Sequence, residues 1–407
     1  MQRNTVFFVG LMSLLFVRVF TFGQLYISEI IILFFLLLAN FRSKRNLLGK
    51  LSGGEEISRF KLFLIGALFS QVMTDIWVGS SITNLIRGFS LILFTIIDLI
   101  GIIRISRLEI RILRVLICGY GFSTFLALLL QPNVYFESHP WKFGFAYAVS
   151  LLLVLFLDHR YRLKRLLPTA ILFIFSLLNF YLGARSLGLV VLVTGLVYLF
   201  SPVLLIGKGR ALLILGFILC LLLLSLQAYS NLVGNGTFGQ SKQAEFQQQS
   251  TSKFGLIGGG RSDFFSAVAF IRESPIIGHG SYAAVTDINR SKVIDAIGQV
   301  NPGIFQTSSS FGIGQQIPAH SIILQFWLWF GAIATLPWLW FLFTCIRYLY
   351  SSLHKYAEGS LLPIYLSCLC IWDLIFSPYG ADRKFSMPLY FVIILTSLRR
   401  KELNNVD

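Results

Sequence analysis

Two kinds of residue in this 407-residue chain could meet in chemistry: one boundary histidine and a few arginines expected on the same face. His320 ends a polar stretch of 92 residues (228–319), and an apolar run of membrane length begins with it and Ser321. Arg185 sits in the short turn Gly183-Ala184-Arg185-Ser186, Arg87 opens an apolar run, and Arg261, Arg272 and His279 lie in the polar stretch. Guanidinium forks neutralise phosphate oxygens without needing a divalent cation. Imidazole exchanges a proton near neutral pH. Together they suit a reaction in which a phosphate leaving group departs and a hydroxyl loses its proton.

The elements that must position these groups are dictated by composition. The chain is 56% hydrophobic and 13% charged, with a mean hydropathy of +0.75. Soluble domains carry about 25% charged residues. Apolar runs of about twenty residues, enough to cross hydrocarbon, recur almost throughout. The spacing predicts spans at 5–22, 25–41, 61–78, 82–103, 115–131, 142–158, 167–184, 187–206, 211–227, 320–346, 360–377 and 386–398. The first lacks a small-residue cleavage site and is read as a retained span. The expected fold class is an all-α polytopic membrane protein of twelve helices. It divides into nine spans over 1–227, a loop over 228–319, and three spans with a tail over 320–407. Cys118, Cys220, Cys345, Cys368 and Cys370 all fall in apolar runs, which leaves the polar loop without a disulfide framework.

The net charge of +16 is a topology signal. Every second connection is basic, and with both termini that face holds 22 of the 34 Lys and Arg residues. The positive-inside rule puts those connections and both termini in the cytoplasm and the 228–319 loop outside. Nucleic acid is excluded as a partner by this distribution. The loop itself is nearly neutral, with six basic and five acidic residues. Apolar positions at helical spacing follow Arg261-Ser262-Asp263, with Ser262 as the N-cap, until Pro275 stops them. Gly278-His279-Gly280 reads as a tight turn, and 287–300 as a second short helix. A loop with two helices is more than a tether. It is expected to cover something at the mouth of the bundle.

Charges inside spans are costly and face a bundle interior or a wet cavity. Arg18 with Glu29, and Arg87 with Asp75, are expected to pair or to reach the interface. Asp373 is expected toward the outer end and Asp98 toward the cytoplasm. The outer face has no Asp-x-Asp, His-x-x-x-His or Cys cluster, so no metal or other cofactor is expected. No phosphate-binding glycine motif stands on the cytoplasmic face. Energy must then come with the substrate. Arginines and a histidine at an outer membrane face point to glycosyl transfer from a polyprenyl diphosphate donor.

The chain resembles the superfamily of O-antigen ligases and Wzy-type polysaccharide polymerases of bacterial envelopes. The resemblance covers the span layout with its large loop, and is sharpest over 258–345. His320-Ser321, nine residues and Gly331 are similar to the family's His-[Asn/Ser/Gln]-x9-Gly pattern. Three residues on, where the family has Gly, Thr or Tyr, this chain has Ala334. Gly260-Arg261-Ser262-Asp263 and Pro275 to Gly280 resemble the family's loop arginine and Pro-x-x-Gly-x-Gly turn, and Arg185 resembles its first arginine.

The resemblance implies a metal-independent membrane glycosyltransferase of the GT-C type in the bacterial inner membrane, with its large loop periplasmic. It implies that Arg185 and Arg261 hold the diphosphate of an undecaprenyl-linked glycan and that His320 engages the acceptor hydroxyl or donor phosphate. Arg272, Ser321, His279 and Arg87 are further expected substrate contacts. The acceptor is a second lipid-linked glycan for a polymerase of O-antigen or exopolysaccharide, or lipid A–core for a ligase. A chain-length regulator is a further expected partner. The near-neutral loop and the Trp-rich run after His320 favour the polymerase. A lipid-linked oligosaccharide flippase is the reading from another class, but no internal repeat supports it.

Overall fold

The computed structural model describes residues 18–20, 25–42, 54–130, 139–161, 165–201, 230–237, 239–250, 263–300, 316–354 and 360–403. Residues 136, 216, 227, 252, 253 and 261 are also described. The expected spans at 5–22 (but for 18–20) and 211–227 (but for 216 and 227), the Ser262 cap and Cys220 lie outside these residues.

The protein is mostly helical, and among the described residues five helices are long and apolar enough to cross a membrane. Two short strands, β1 (Arg18–Phe20) and β2 (Leu25–Tyr26), pair antiparallel ahead of the helices. Then come α1 (Ile27–Arg42), α2 (Gly54–Val78), α3 (Ile82–Ser106) and α4 (Ile110–Leu130). A π-turn at Trp141–Phe145 leads into α5 (Ala146–Arg160), followed by α6 (Leu166–Tyr181) and α7 (Arg185–Phe200). The polar loop contains α8 (Gln240–Ser250), α9 (Asp263–Ile271) and α10 (Asp287–Gly298). The last part is α11 (Ile322–Phe330), a 3-10 turn at Ala332–Thr335, α12 (Leu336–His354), α13 (Leu361–Phe376) and α14 (Arg383–Leu403).

Helices α9 and α10 fall where the apolar spacing predicts them, whereas α8 lies in a Gln-rich stretch for which no helix is expected. The long helices carry apolar side chains on their outer faces as well as inside. Leu62, Ile65, Phe69, Met73 and Ile76 form an exposed stripe along α2, at the spacing of one helical face. The opposite face of α2 buries Phe60, Leu64 and Ala67. A helix apolar all round needs an apolar surrounding, which is consistent with a membrane protein.

Polar contacts sort the helix ends into two groups. At one end Glu56 of α2 pairs with Arg399 of α14 and Arg347 of α12, and Arg114 of α4 pairs with Asp158 of α5. Asp158 also accepts from Ser360 Oγ and the Leu362 amide at the start of α13. Arg165, just before α6, donates to the Tyr198 carbonyl near the end of α7. Helices α7 and α13 are therefore antiparallel, and Arg185 lies at the opposite end with Phe376. That opposite end is where the polar loop docks.

The expected continuous span over 320–346 is broken. Helix α11 stops at Gly331, whose φ of 80° lies in the left-handed region, and the chain turns through the 3-10 segment before α12 starts. Gly331 is thus a corner and does not lie under His320 on one straight helix, as the eleven-residue spacing suggests. Four carbonyls are exposed by the break, and each finds a donor. Trp327 O accepts from the Gly331 amide at 2.9 Å, Leu328 O from His279 N at 2.8 Å, Trp329 O from Gly280 N at 2.9 Å and Phe330 O from Ser70 Oγ at 2.7 Å.

Two of those donors come from the loop's Gly-His-Gly turn, which packs backbone against backbone on the corner. A Cβ on Gly331 would overlap the Ile276 carbonyl, and one on Gly278 (φ 90°) would come 2.7 Å from Gly331 N. Asp75 at the end of α2 fixes the next residues: its carboxylate accepts from Ser281 N at 2.6 Å, Ser281 Oγ at 2.5 Å and Ser80 Oγ at 2.7 Å.

Gly331→Ala is expected to lose roughly 1–3 kcal/mol, through overlap and a strained φ. The loss should read as a lower unfolding temperature and faster proteolysis near residue 276. Gly54→Ala, where a Cβ meets nothing within 4 Å, is expected to leave both unchanged.

Candidate functional site

The docked loop brings α9 against α11, and the starts of these two helices meet. Asp263 is the first residue of α9, where a carboxylate suits the unpaired amides of a helix N-terminus. His320 directly precedes Ser321, the N-cap of α11. His320 Nδ1 lies 2.6 Å from Asp263 Oδ2, with the histidine side chain 43% exposed and the aspartate 22%. The contact has ion-pair length without the in-line geometry of a hydrogen bond. Its consequence is orientation. The imidazole edge bearing Nδ1 is buried and faces the carboxylate.

The segment before His320 is pinned from two sides. Ile317 N donates to Ala283 O at 2.9 Å, beside a bridge between Ala284 and Gln316. Pro318 O accepts from Ser266 Oγ of α9 at 3.1 Å. Ser321 is occupied structurally, since its hydroxyl accepts from Leu324 N at 3.2 Å and donates to Leu374 O of α13 at 3.0 Å. One turn further, Gln325 clamps the backbone of Tyr379 in the α13–α14 connection, accepting from its amide at 2.6 Å and donating to its carbonyl at 3.3 Å.

Arg261 is half-buried two residues before Asp263. Burial lowers its pKa from the ordinary arginine value, and the carboxylates of Asp263 and Asp373 act in the opposite direction. Arginine remains a cation at neutral pH. Asp373, on the last turn of α13, is bound by Arg383 at the start of α14, with Nη1 2.5 Å from Oδ2 and Nη2 3.1 Å from Oδ1. One cluster therefore collects His320, Asp263, Arg261, Asp373 and Arg383.

Helix α14 starts below the rim on which the loop rests. Phe391 of α14 stacks on Phe60 of α2 at 4.1 Å, which sets the two helices level. At 1.5 Å per residue, Asp75 rises roughly 22 Å above that level and Arg383 only roughly 12 Å. A step of about 10 Å results.

The other candidate residues have different surroundings. Arg87 lies over the Tyr282 ring, 4.0 Å from its centroid, and burial raises the Tyr282 phenol above its usual pKa. Arg87 does not pair with Asp75, because the loop's Ser281 has taken that carboxylate. Glu29 pairs with Lys384 of α14, at 2.7 Å; the side chain of Arg18, its expected partner, lies outside what is described. His279 donates from Nε2 to Phe270 O at 2.8 Å, tying the turn to α9. Arg272 is exposed just after α9, and Arg185 is half-buried at the first residue of α7, on the loop-side end. The structure brings Arg261 to His320. It uses Ser321 to tie α11 to α13, and His279 and Arg87 to hold the loop.

Asp263, Asp373 and Arg383 were visible in the sequence as charges, but nothing in their spacing joins them to His320. Among the described residues, no group of three or more His, Cys, Asp or Glu could hold a metal ion. No protein-family model matches the chain, and a search of curated proteins finds no match.

Arg383→Met would leave the Asp373 carboxylate, 7% exposed, without its partner. The expected loss is about 3–5 kcal/mol. Most of it should return in the double variant Arg383→Met/Asp373→Leu, measured by thermal unfolding in detergent.

Proposed function

We propose that this chain is a bacterial inner-membrane glycosyltransferase of the GT-C type, most simply a polymerase of lipid-linked saccharide repeats acting on the periplasmic face. The observation that carries the reading is the Asp263–His320 pair, with Arg261 beside it, at the start of an apolar helix. The resemblance of Arg261, His320 and Gly331 to the ligase and polymerase superfamily supports it from the sequence side. So does the gathering of basic residues at the helix ends away from the loop.

Each group has a role that its chemistry suits. Asp263, facing Nδ1, holds the imidazole with Nε2 turned away and stabilises the imidazolium that forms when Nε2 takes a proton. In the proposed step an acceptor hydroxyl gives its proton to His320 as its oxygen attacks the anomeric carbon. The bond from that carbon to the diphosphate oxygen breaks, and undecaprenyl diphosphate leaves with the electron pair. Arg261, with Arg185, neutralises the leaving diphosphate.

His320→Ala and Arg261→Ala are each expected to abolish glycan chain extension with protein levels unchanged. Normal polymer in both variants would sink the assignment. Asp263→Asn keeps the shape but removes the charge facing Nδ1, and is expected to lower turnover about 10²–10⁴-fold, the range attached to general acid–base catalysis. The glycan phenotype of a deletion strain separates the two enzymes. Lipid A–core bearing a single repeat marks a polymerase, and lipid-linked polymer accumulating with bare core marks a ligase.

A further inference from the structure

Three ionisable residues meet inside the bundle, away from the His320 cluster. Lys384 of α14 and Glu29 of α1 are 0% and 1% exposed in their side chains and form an ion pair, with Nζ–Oε1 2.7 Å and Nζ–Oε2 3.0 Å. The ammonium is also flanked by the rings of Tyr26 and Phe94, each at 5.4 Å. Asp98 of α3 is fully buried within electrostatic range of both partners, and among the described residues neither of its carboxylate oxygens has a hydrogen-bond partner. The sequence alone placed Asp98 toward the cytoplasmic side. It lies in the second half of α3, where Gly101 lets Ile32 close α1 against α3.

Charge balance carries the argument. One buried lysine offsets one buried carboxylate, and a second carboxylate left ionised with no donor among the described residues would carry an uncompensated desolvation cost. A metal cation is a poor occupant, because Lys384 already supplies positive charge and the described residues offer no ligand cluster. A proton is the occupant that balances the charge without needing a cavity. Among the described residues, the charged and titratable groups that bear on Asp98 are Glu29 on α1, Lys384 on α14 and Tyr379 in the connection before α14. Tyr379 links this place to the step above. Its hydroxyl lies 2.7 Å from Thr95 Oγ1, one turn before Asp98, and its backbone is the part held by Gln325 of the His320 helix.

We propose that Glu29, Lys384 and Asp98 form a buried site for one exchangeable proton, carried on Asp98, directly beneath the candidate glycan site. This does not depend on the glycosyl-transfer reading. The full-length protein in lipid nanodiscs is to be examined by infrared difference spectroscopy across a pH step. A carbonyl band from a protonated carboxyl is expected in the unaltered chain at neutral pH. It should be lost in Asp98→Asn and kept in Asp295→Asn, which alters an exposed acid of α10. Glu29→Gln supplies an independent arm. With one carboxylate removed, Lys384 balances Asp98, and the band is expected to disappear although Asp98 is intact. Absence of the band in the unaltered chain, or its persistence in Asp98→Asn or in Glu29→Gln, overturns the proposal.

Discussion

The architecture depends on how four carbonyls at a broken helix end are satisfied. A helix that stops inside packed apolar surroundings leaves acceptors that cost free energy unless donors reach them. Here a turn from a distant loop delivers two amides, α2 delivers a serine hydroxyl, and Gly331 itself delivers the last donor. Gly278 and Gly331 are required because the two backbones touch where any side chain would intrude. The loop is therefore part of the bundle, and α9 with Asp263 inherits its position from that joint. Remove the joint, and His320 loses the carboxylate that orients it.

The same economy explains where the charges went. Asp75, Glu29 and Asp373 all begin as awkward carboxylates in apolar helices, and each is resolved by a partner far away in sequence. Ser281 of the loop serves Asp75, Lys384 serves Glu29 and Arg383 serves Asp373. Two of those cations are consecutive residues at the start of α14. Because that helix begins below the rim, its cations lie among the other helices and can reach carboxylates on α1 and α13.

Helical class, most helix positions, the loop helices α9 and α10 and the Gly-His-Gly turn were legible in the sequence, because hydrophobic spacing and glycine placement are local signals. His320 and Arg261 were legible as neighbours only through their resemblance to a family pattern. The pairing of charges was not legible. Arg87 with Asp75 looked natural at twelve residues' separation, yet the loop brings two donors to the carboxylate, Ser80 adds a third, and the guanidinium stacks on Tyr282. The break at Gly331 was equally hidden. A glycine within an apolar run reads as close packing, and only the tertiary donors reveal a corner.

The joint between loop and helix also sets an order of events during synthesis. The turn at 275–280 leaves the ribosome before 321–331 does, and α11 can close its end only when it meets that turn. Until the two meet, the end of α11 presents acceptors without partners, and α9 has nothing to lie against. Docking of the loop is thus a step that the later helices wait for. A chain whose loop is delayed would hold its last three helices unfinished, exposed to the quality-control proteases that recognise open helix ends.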